Sequence, residues 1–369
     1  MNDIKNAKYI FILLLLLYIT TILPGCRKNE APDLGLVDSW SYINQPITRN
    51  EDWRQIVIDS PFQLGEKTSS RTMTSNAGVQ TMYTLKYGTY PSIDGSTVAV
   101  PMAVEFARQH LGFSDKHANS FTRFVTTHRA YVNLITKSSG FGGRIEDKDS
   151  YTTLDNEQPV DIIIVTAASE EELNLAKENG VVLIQKPVCY DAFVFITHIN
   201  NPVNSLTIEQ IRGIYSGKIK NWNEVGGDNA PIIPYQREEN SGSQTAMLEL
   251  VMKGLPMLSP EIVEIKMDMG ELMEAVVEYK NNSASIGYTY KYYADNLYKN
   301  EKIKFLMIDD IPANEANIKS GLYPLSVCYY GVIRSDDENA IGGMFLDWII
   351  SKEGQQCVEQ AGYIPYFSR

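Results

Sequence analysis

The chain has 369 residues, of which 44% are hydrophobic, 10% aromatic and 21% charged. That is more than one ordinary core uses, so two domains or one with a large insertion are expected, and a disordered, collagen-like or small disulfide-stapled chain is excluded. Its 45 acidic against 33 basic residues give a net charge of -12 and a pI near 4.9, a field that repels nucleic acid and anionic membrane surfaces, so no nucleic-acid partner is expected.

Residues 1–25 read as a secretory leader. Lys5 and Lys8 precede an apolar run at 9–23 with unbroken leucines at 13–17, shorter than the ~20 residues a spanning helix needs. The run closes on Leu23, Pro24, Gly25 and Cys26. This resembles a bacterial lipobox, with Pro24 where that pattern has a small residue. The resemblance implies cleavage before Cys26 and lipidation of its thiol, giving an extracytoplasmic protein held to the cell membrane by a lipid anchor. Residues 26–80 form a tether and N-terminal extension: Lys28, Glu30, Pro32 and Asp33 open it, 67–76 are rich in Thr and Ser, and Trp40, Trp53 and the alternation at 55–58 suit packing onto the main body.

Beyond that point strand-like apolar runs alternate with helix-periodic ones. Strands are expected at 81–87, 121–126, 160–165, 181–184, 192–197, 232–235 and 286–290, and helices at 98–111, 130–137, 170–179, 207–215, 244–252, 344–350 and 354–360. Such alternation predicts an α/β protein, and its recurrence in both halves predicts two lobes. Cys189, Cys328 and Cys357 are widely spaced and odd in number, and His110, His117, His128 and His198 lack any paired ligand spacing. They read as buried thiols and as structural or solvated imidazoles, with no disulfide framework, metal or other cofactor expected.

Two loops share one design. Asp94, Gly95, Ser96 and Thr97 lead into the helix expected from 98, and Asn240, Ser241, Gly242 and Ser243 lead into the helix expected from 244. Helix starts present unpaired amides and the positive end of the helix dipole, and glycine lets an anion come close, so such loops suit oxyanions. Each Ser or Thr alone would serve equally as a plain N-cap. Arg237 adds a guanidinium fork four residues before Ser241, and Thr127 opens the helical stretch at 130–137 as a third candidate contact. The run Asp336, Asp337 and Glu338 reads as a solvated turn.

These residues converge on a family. The run NPVNSLTIEQIRGIYSGKIKNWNEVGG at 201–227, the 94–97 loop, the 237–243 loop, the run 285–288 and the closing 345–348, 353–355 and 361–363 resemble phosphate-type substrate-binding proteins of ABC importers, over roughly 82–369. The resemblance implies a two-lobed type II periplasmic-binding-protein fold with a ligand cleft between lobes: 81–190 plus 291–369 as lobe I and 191–290 as lobe II. It implies an inorganic oxyanion, most simply phosphate, held by Ser96, Thr97, Thr127, Arg237, Ser241, Gly242 and Ser243, with Gly95 and Glu239 in support. Glu239 and Ser243 stand where the family's Arg-x-Asp-x-Ser-Gly-Thr motif has Asp and Thr.

One departure matters. Phosphate receptors of this family carry an Asp after the strand of the 160–164 region, as acceptor for a protonated phosphate, and here Val165 or Thr166 falls there. The expected role is non-enzymatic: a monomeric lipoprotein that delivers the anion to an ABC permease. The overall negative charge does not forbid this, since surface charge is screened within about 8 Å at physiological salt. The alternatives are a stand-alone sensing or adhesion lipoprotein of the same fold, or a serine hydrolase built on Ser241 or Ser243. The hydrolase lacks a Gly-x-Ser-x-Gly elbow and a histidine in the loop.

Overall fold

The computed structural model describes residues 62–367 apart from 63, 76–77, 88–89, 123, 139–143, 148–149, 154–158, 240, 260–264, 267–268, 279–283 and 338–339. Side-chain surroundings are not described at 64–87, 116–117, 120, 144–153, 265 and 278. The leader, Cys26 and the tether before 62 lie outside the described residues, as does the His117 side chain. All described residues belong to one compact unit, Tyr42–Arg369. Among them no helix is long and apolar enough to cross a membrane.

The centre is an eight-stranded mixed sheet. Its path runs through β1 (Ile93–Gly95), β2 (Ile162–Val165), β3 (Leu183–His198), β4 (Ile233–Pro234), β5 (Ser285–Tyr290) and β6 (Ser326–Arg334) in the spatial order β1-β2-β6-β3-β5-β4. The β1–β2 and β5–β4 pairs are parallel and the others antiparallel. All four residues of β2 are fully buried, the expected state of an unbroken Ile-Ile-Ile-Val run covered on both faces. Helix α1 (Val100–Leu111), α2 (Thr127–Thr136), α3 (Glu170–Glu178), α4 (Ile208–Tyr215), α5 (Gly242–Ala246), α6 (Met269–Glu278), α7 (Ile341–Ile349) and α8 (Lys352–Gln360) complete the layers. Helix α2 shows why they pack: Ala130, Tyr131, Leu134 and Ile135 fall on one face and bury against Ile163, Val165 and Val332. The predicted starts of α3 and α4 carry capping boxes, Ser169 with Glu172 and Thr207 with Gln210.

Strand β3 organises the fold. Its first half pairs with β6, from Leu183↔Arg334 to Ala192↔Ser326, and its second half pairs with β5, from Phe193↔Tyr290 to Thr197↔Ile286. The chain therefore passes from one strand group to the other between Ala192 and Phe193. The sequence suggested two short strands, 181–184 and 192–197, because Gln185, Lys186 and Pro187 interrupt the apolar run. The structure joins them, with a register shift beside Pro187, the kind of place where a residue without an N–H is tolerated. The second group continues to Ile308: Ile303–Phe305 pairs with the far end of β3 and Met307–Ile308 with Ser205–Leu206. Another expectation fails at 121–126. Phe121 ends a helix, Asp115–Phe121, and the Val125 amide donates to the Asp94 carboxylate at 3.0 Å instead of to a strand. At the amino-terminal side, Leu64–Ser75 and Gly78–Tyr87 form an antiparallel pair that straddles position 80. Phe62 packs edge-on against His110 and Phe345 at 5.3 and 5.0 Å.

At the changeover in β3 sits Asp191, 3% exposed. Its carboxylate accepts from the Ala192 and Tyr292 amides at 2.8 and 3.1 Å and from the Tyr329 hydroxyl at 2.9 Å, tying β3, β6 and the segment after β5 together. Burial pushes the carboxyls of Asp94, Asp161 and Asp191 each up to about 6 and lowers the His110 imidazole to about 4. The three carboxyls hold more protons folded than unfolded between about pH 4 and 6, so their contribution to stability falls as pH rises through that window, while His110 works in the opposite sense. Three groups against one leave an expected gain of about 2 kcal/mol on going from pH 7 to pH 5. Urea unfolding at the two pH values measures it, and Asp191→Asn should remove about 1 kcal/mol of the gain. A midpoint that falls on acidification would mean that these carboxyls are ionised in the folded protein.

Candidate functional site

The first loop leaves the end of β1. The Ser96 amide donates to Ile164 O at 3.0 Å, which holds the loop beside the end of β2. Gly95 is required there: a Cβ would lie 2.3 Å from Ile164 O and 2.9 Å from the Phe124 ring. Asp94, which the sequence reading left without a role, is 1% exposed. It accepts from the Gly95 and Val125 amides at 2.7 and 3.0 Å and from Asn133 Nδ2 at 3.1 Å. One carboxylate thus fixes the 94–97 loop against the segment that enters α2. The signal was present as an acid directly before Gly-Ser, but Val125 and Asn133, which it ties to the loop, are distant in sequence.

Ser96 precedes a short 3-10 turn, Thr97–Ala99, yet its side chain makes no cap bond. The residue is 5% exposed and its Oγ has no hydrogen-bond partner among the described residues. A hydroxyl buried in that state costs free energy unless something accepts from it. Thr97, first in the turn, is half-buried. Thr127 opens α2 and is 8% exposed.

The second loop comes from the other strand group. Arg237 is 7% exposed. Its backbone pairs in parallel with Lys266, its Nε donates to Lys266 O at 3.1 Å, and its Nη1 lies 3.5 Å from Ser243 Oγ and 3.7 Å from Met269 Sδ. Tyr288 of β5 braces the loop: its hydroxyl accepts from the Arg237 amide at 3.0 Å and donates to Gln244 Oε1, and burial pushes its pKa up. Ser241 caps α5 by accepting from the Gln244 amide at 3.2 Å. Helix α5 runs on directly into a π-helical stretch, Met247–Met252, so the expected helix over 244–252 begins two residues earlier and changes its winding. Glu239 is exposed, and the hydrogen bonds described for Arg237 go to other groups.

Gly242 is where the two groups meet. A Cβ on it would lie 2.6 Å from Thr127 Oγ1 and 3.4 Å from Thr166 Oγ1, so a larger residue would have to push the Thr127 hydroxyl aside. Thr166, directly after β2, is 9% exposed and sits at the site, whereas Val165 is wholly buried in the sheet. The position where an acidic acceptor was sought is therefore Thr166. A cavity of about 230 Å³ opens beside it, lined in part by Gly242, Ala246, Glu249, Tyr290 and Cys328. Among the described residues no three His, Cys, Asp or Glu side chains are grouped to hold a metal ion, and neither Ser241 nor Ser243 is described in a hydrogen bond with a histidine.

The arrangement offers hydroxyl donors from one strand group and a buried guanidinium, hydroxyls and a helix start from the other, on a two-lobed α/β frame. The chain belongs to the PBP superfamily domain family, whose pattern matches residues 89–353. Similar curated proteins include the Phosphate-binding protein PstS of Borreliella burgdorferi, 27% identical over 181 residues, 47% of this chain and 63% of that one. Another is the Phosphate-binding protein PstS of Bacillus subtilis, 25% identical over 165 residues, 44% of this chain and 51% of that one. The chain thus matches between about half and two thirds of the length of these curated relatives. Among solved structures, one from Clostridium perfringens holds bound phosphate and is named as a candidate substrate-binding protein of a phosphate ABC transporter. It superposes with TM-score 0.55 at 26% identity, over 74% of this chain and 98% of that one. An ABC-type phosphate transport receptor from Vibrio cholerae superposes with TM-score 0.52 at 20% identity over the same shares, 74% and 98%. The fold is the two-lobed type II periplasmic-binding-protein fold.

Proposed function

We propose that the protein is an extracytoplasmic receptor that captures a tetrahedral oxyanion, phosphate first, in a cleft between two lobes and hands it to an ABC permease. It binds and does not catalyse. The observation that carries this reading is the buried Ser96 hydroxyl, without a partner among the described residues, on one of two loops of which the other brings the buried Arg237 and the hydroxyls of Ser241 and Ser243. An oxyanion supplies the acceptor that the Ser96 hydroxyl lacks among the described residues. The phosphate bound to the Clostridium perfringens relative supports the same ligand. The strand pairing supports a first lobe made of 90–192 and 326–367 and a second of 193–308, with the crossing in β3.

Selectivity tests the reading. With hydroxyl, amide and guanidinium donors, and Thr166 where the family has an acidic acceptor, the described donor loops offer no carboxylate that an ionised sulfate would leave unsatisfied. Phosphate and sulfate should therefore bind within about tenfold of each other, 1.4 kcal/mol. Thr166→Asp should shift the preference toward phosphate, and more so at pH 6 than at pH 8, because the protonated anion can donate to the new carboxylate. Competitive calorimetric titration of both proteins decides it. A wild type that rejects sulfate a thousandfold would mean that a carboxylate elsewhere serves as acceptor.

The lipid anchor belongs to the same proposal. Cys26→Ser should leave an unlipidated precursor, since no other group at that position can form a thioether, and metabolic labelling with a fatty-acid analogue reads the outcome. Label kept by the variant would remove the anchor from the proposal. One acyl chain alone holds a protein to a bilayer only marginally, so a diacylated cysteine or a bound permease is needed for lasting attachment.

A further inference from the structure

Thr166 stands where an acidic acceptor was sought, and the neighbours of its hydroxyl decide which way that group points its proton. The Ser96 amide donates to Ile164 O at 3.0 Å, so the first donor loop leaves the sheet beside the segment that carries Thr166. On the other side, a Cβ on Gly242 would lie 2.6 Å from Thr127 Oγ1 and 3.4 Å from Thr166 Oγ1. The two hydroxyl oxygens are therefore within about 6 Å of each other, a gap that two hydrogen bonds of about 2.7 Å to one tetrahedral anion can span. The Thr166 backbone is fixed as well, since the Tyr131 hydroxyl of α2 donates to its carbonyl at 2.9 Å.

The Thr166 side chain is hydrogen-bonded to the Tyr290 hydroxyl. Tyr290 ends β5, is buried, and packs its ring edge-on against Phe193 at 5.7 Å. Its hydroxyl lies 3.0 Å from Gly242 O and donates to it. A phenol has one proton and a carbonyl has none to give, so the Tyr290 proton is committed to Gly242. Burial pushes the Tyr290 pKa up, which keeps that proton in place at any working pH. Thr166 is then the donor in its bond with Tyr290. A hydroxyl whose proton is spent in this way has only lone pairs left to offer. By residue type Thr166 would be one more donor, and the chain of bonds turns it into an acceptor.

We propose that Tyr290 is a positioning residue that sets specificity: by accepting from Thr166 it makes Thr166 Oγ1 a neutral acceptor for the hydroxyl of a protonated phosphate. This rests on the reading of the loops as an oxyanion site and names what selects among oxyanions there. Near neutral pH phosphate still carries a proton and sulfate carries none, while monofluorophosphate has fluorine in place of the hydroxyl. A neutral acceptor does not repel an ionised anion as a carboxylate would, so phosphate should be preferred by only about threefold to tenfold, the range of one neutral hydrogen bond.

Calorimetric titration of the full-length protein at pH 8 with phosphate, sulfate and monofluorophosphate tests this. The wild type should prefer phosphate to each of the other two by that factor. Thr166→Val removes the acceptor and Tyr290→Phe frees the Thr166 proton to donate, so each should bring the preference below about twofold, while Thr166→Ser should keep it. A purely structural role for Tyr290 would weaken all three anions together and leave their ratios unchanged. If the preference survives in Thr166→Val or in Tyr290→Phe, or if the wild type binds all three anions equally, the acceptor is refuted and the oxyanion reading stands. If none of the three binds, the oxyanion reading itself falls and the acceptor with it.

Discussion

Replacing Arg237 by Ala should weaken phosphate binding by between about 10-fold and 100-fold while leaving the protein folded. Hydrogen bonds to a charged group are worth about 1.5–3 kcal/mol, and each 1.4 kcal/mol is tenfold. Arg237 is 7% exposed, so water does not share the interaction as it would at the surface. The fold should tolerate the loss. The Arg237 amide keeps its bond to the Tyr288 hydroxyl, and the backbone pairing with Lys266 does not depend on the side chain. Arg237→Lys should fall between the two, since an ammonium restores the charge without the planar fork. Calorimetry with phosphate gives the affinity and circular dichroism the fold. Unchanged affinity in Arg237→Ala would put the anion elsewhere.

A second substitution should be costly for both stability and binding. Gly95→Ala places a methyl group 2.3 Å from Ile164 O and 2.9 Å from the Phe124 ring. The first neighbour is backbone in the middle of the sheet and cannot swing aside, so β1 has to move away from β2 and the bond from the Ser96 amide to Ile164 O is lost. Overpacking costs about 1–3 kcal/mol when side chains can adjust. With backbone on one side of the clash, about 3 kcal/mol is expected, together with loss of most of the phosphate affinity, because Ser96 and Thr97 ride on the displaced segment. Urea unfolding and titration measure the two effects. A variant as stable as the wild type would mean that the 94–97 loop does not lie against β2 as described.

The alternation of elements was legible because most helices and strands here bury one face and mark it with periodicity. It failed where a tertiary contact replaced a local signal. At 121–126 the apolar residues suggested a strand, but the Val125 amide is taken by Asp94 from 31 residues away in sequence. Strand β6 was not among the expected strands, and Gly331 lies in it, where glycine weakens the strand pattern. The reason for that glycine is spatial, since a Cβ would lie 2.4 Å from Leu346 Cδ1 on α7. The site divides similarly. Each hydroxyl-bearing loop could be read as a loop with donors, and the resemblance grouped them. The approach of Gly242 to Thr127 and Thr166, the clamp made by Asp94 and the cavity toward Glu249 depend on how separate segments pack, which no local pattern encodes.

Strand β3 limits how this molecule can be divided. Its 16 residues are the middle of one sheet region in their first half and of the other in their second, so each lobe borrows part of its core from the same piece of chain. A fragment cut at Ala192 would deprive one lobe of an interior strand and leave that lobe with open edges that pair with other chains. The two lobes should therefore unfold in one cooperative step, and neither should survive as a separate recombinant domain. A chimera that exchanges one lobe with a relative's should fold only if all of β3 and its partners β5 and β6 come from a single parent.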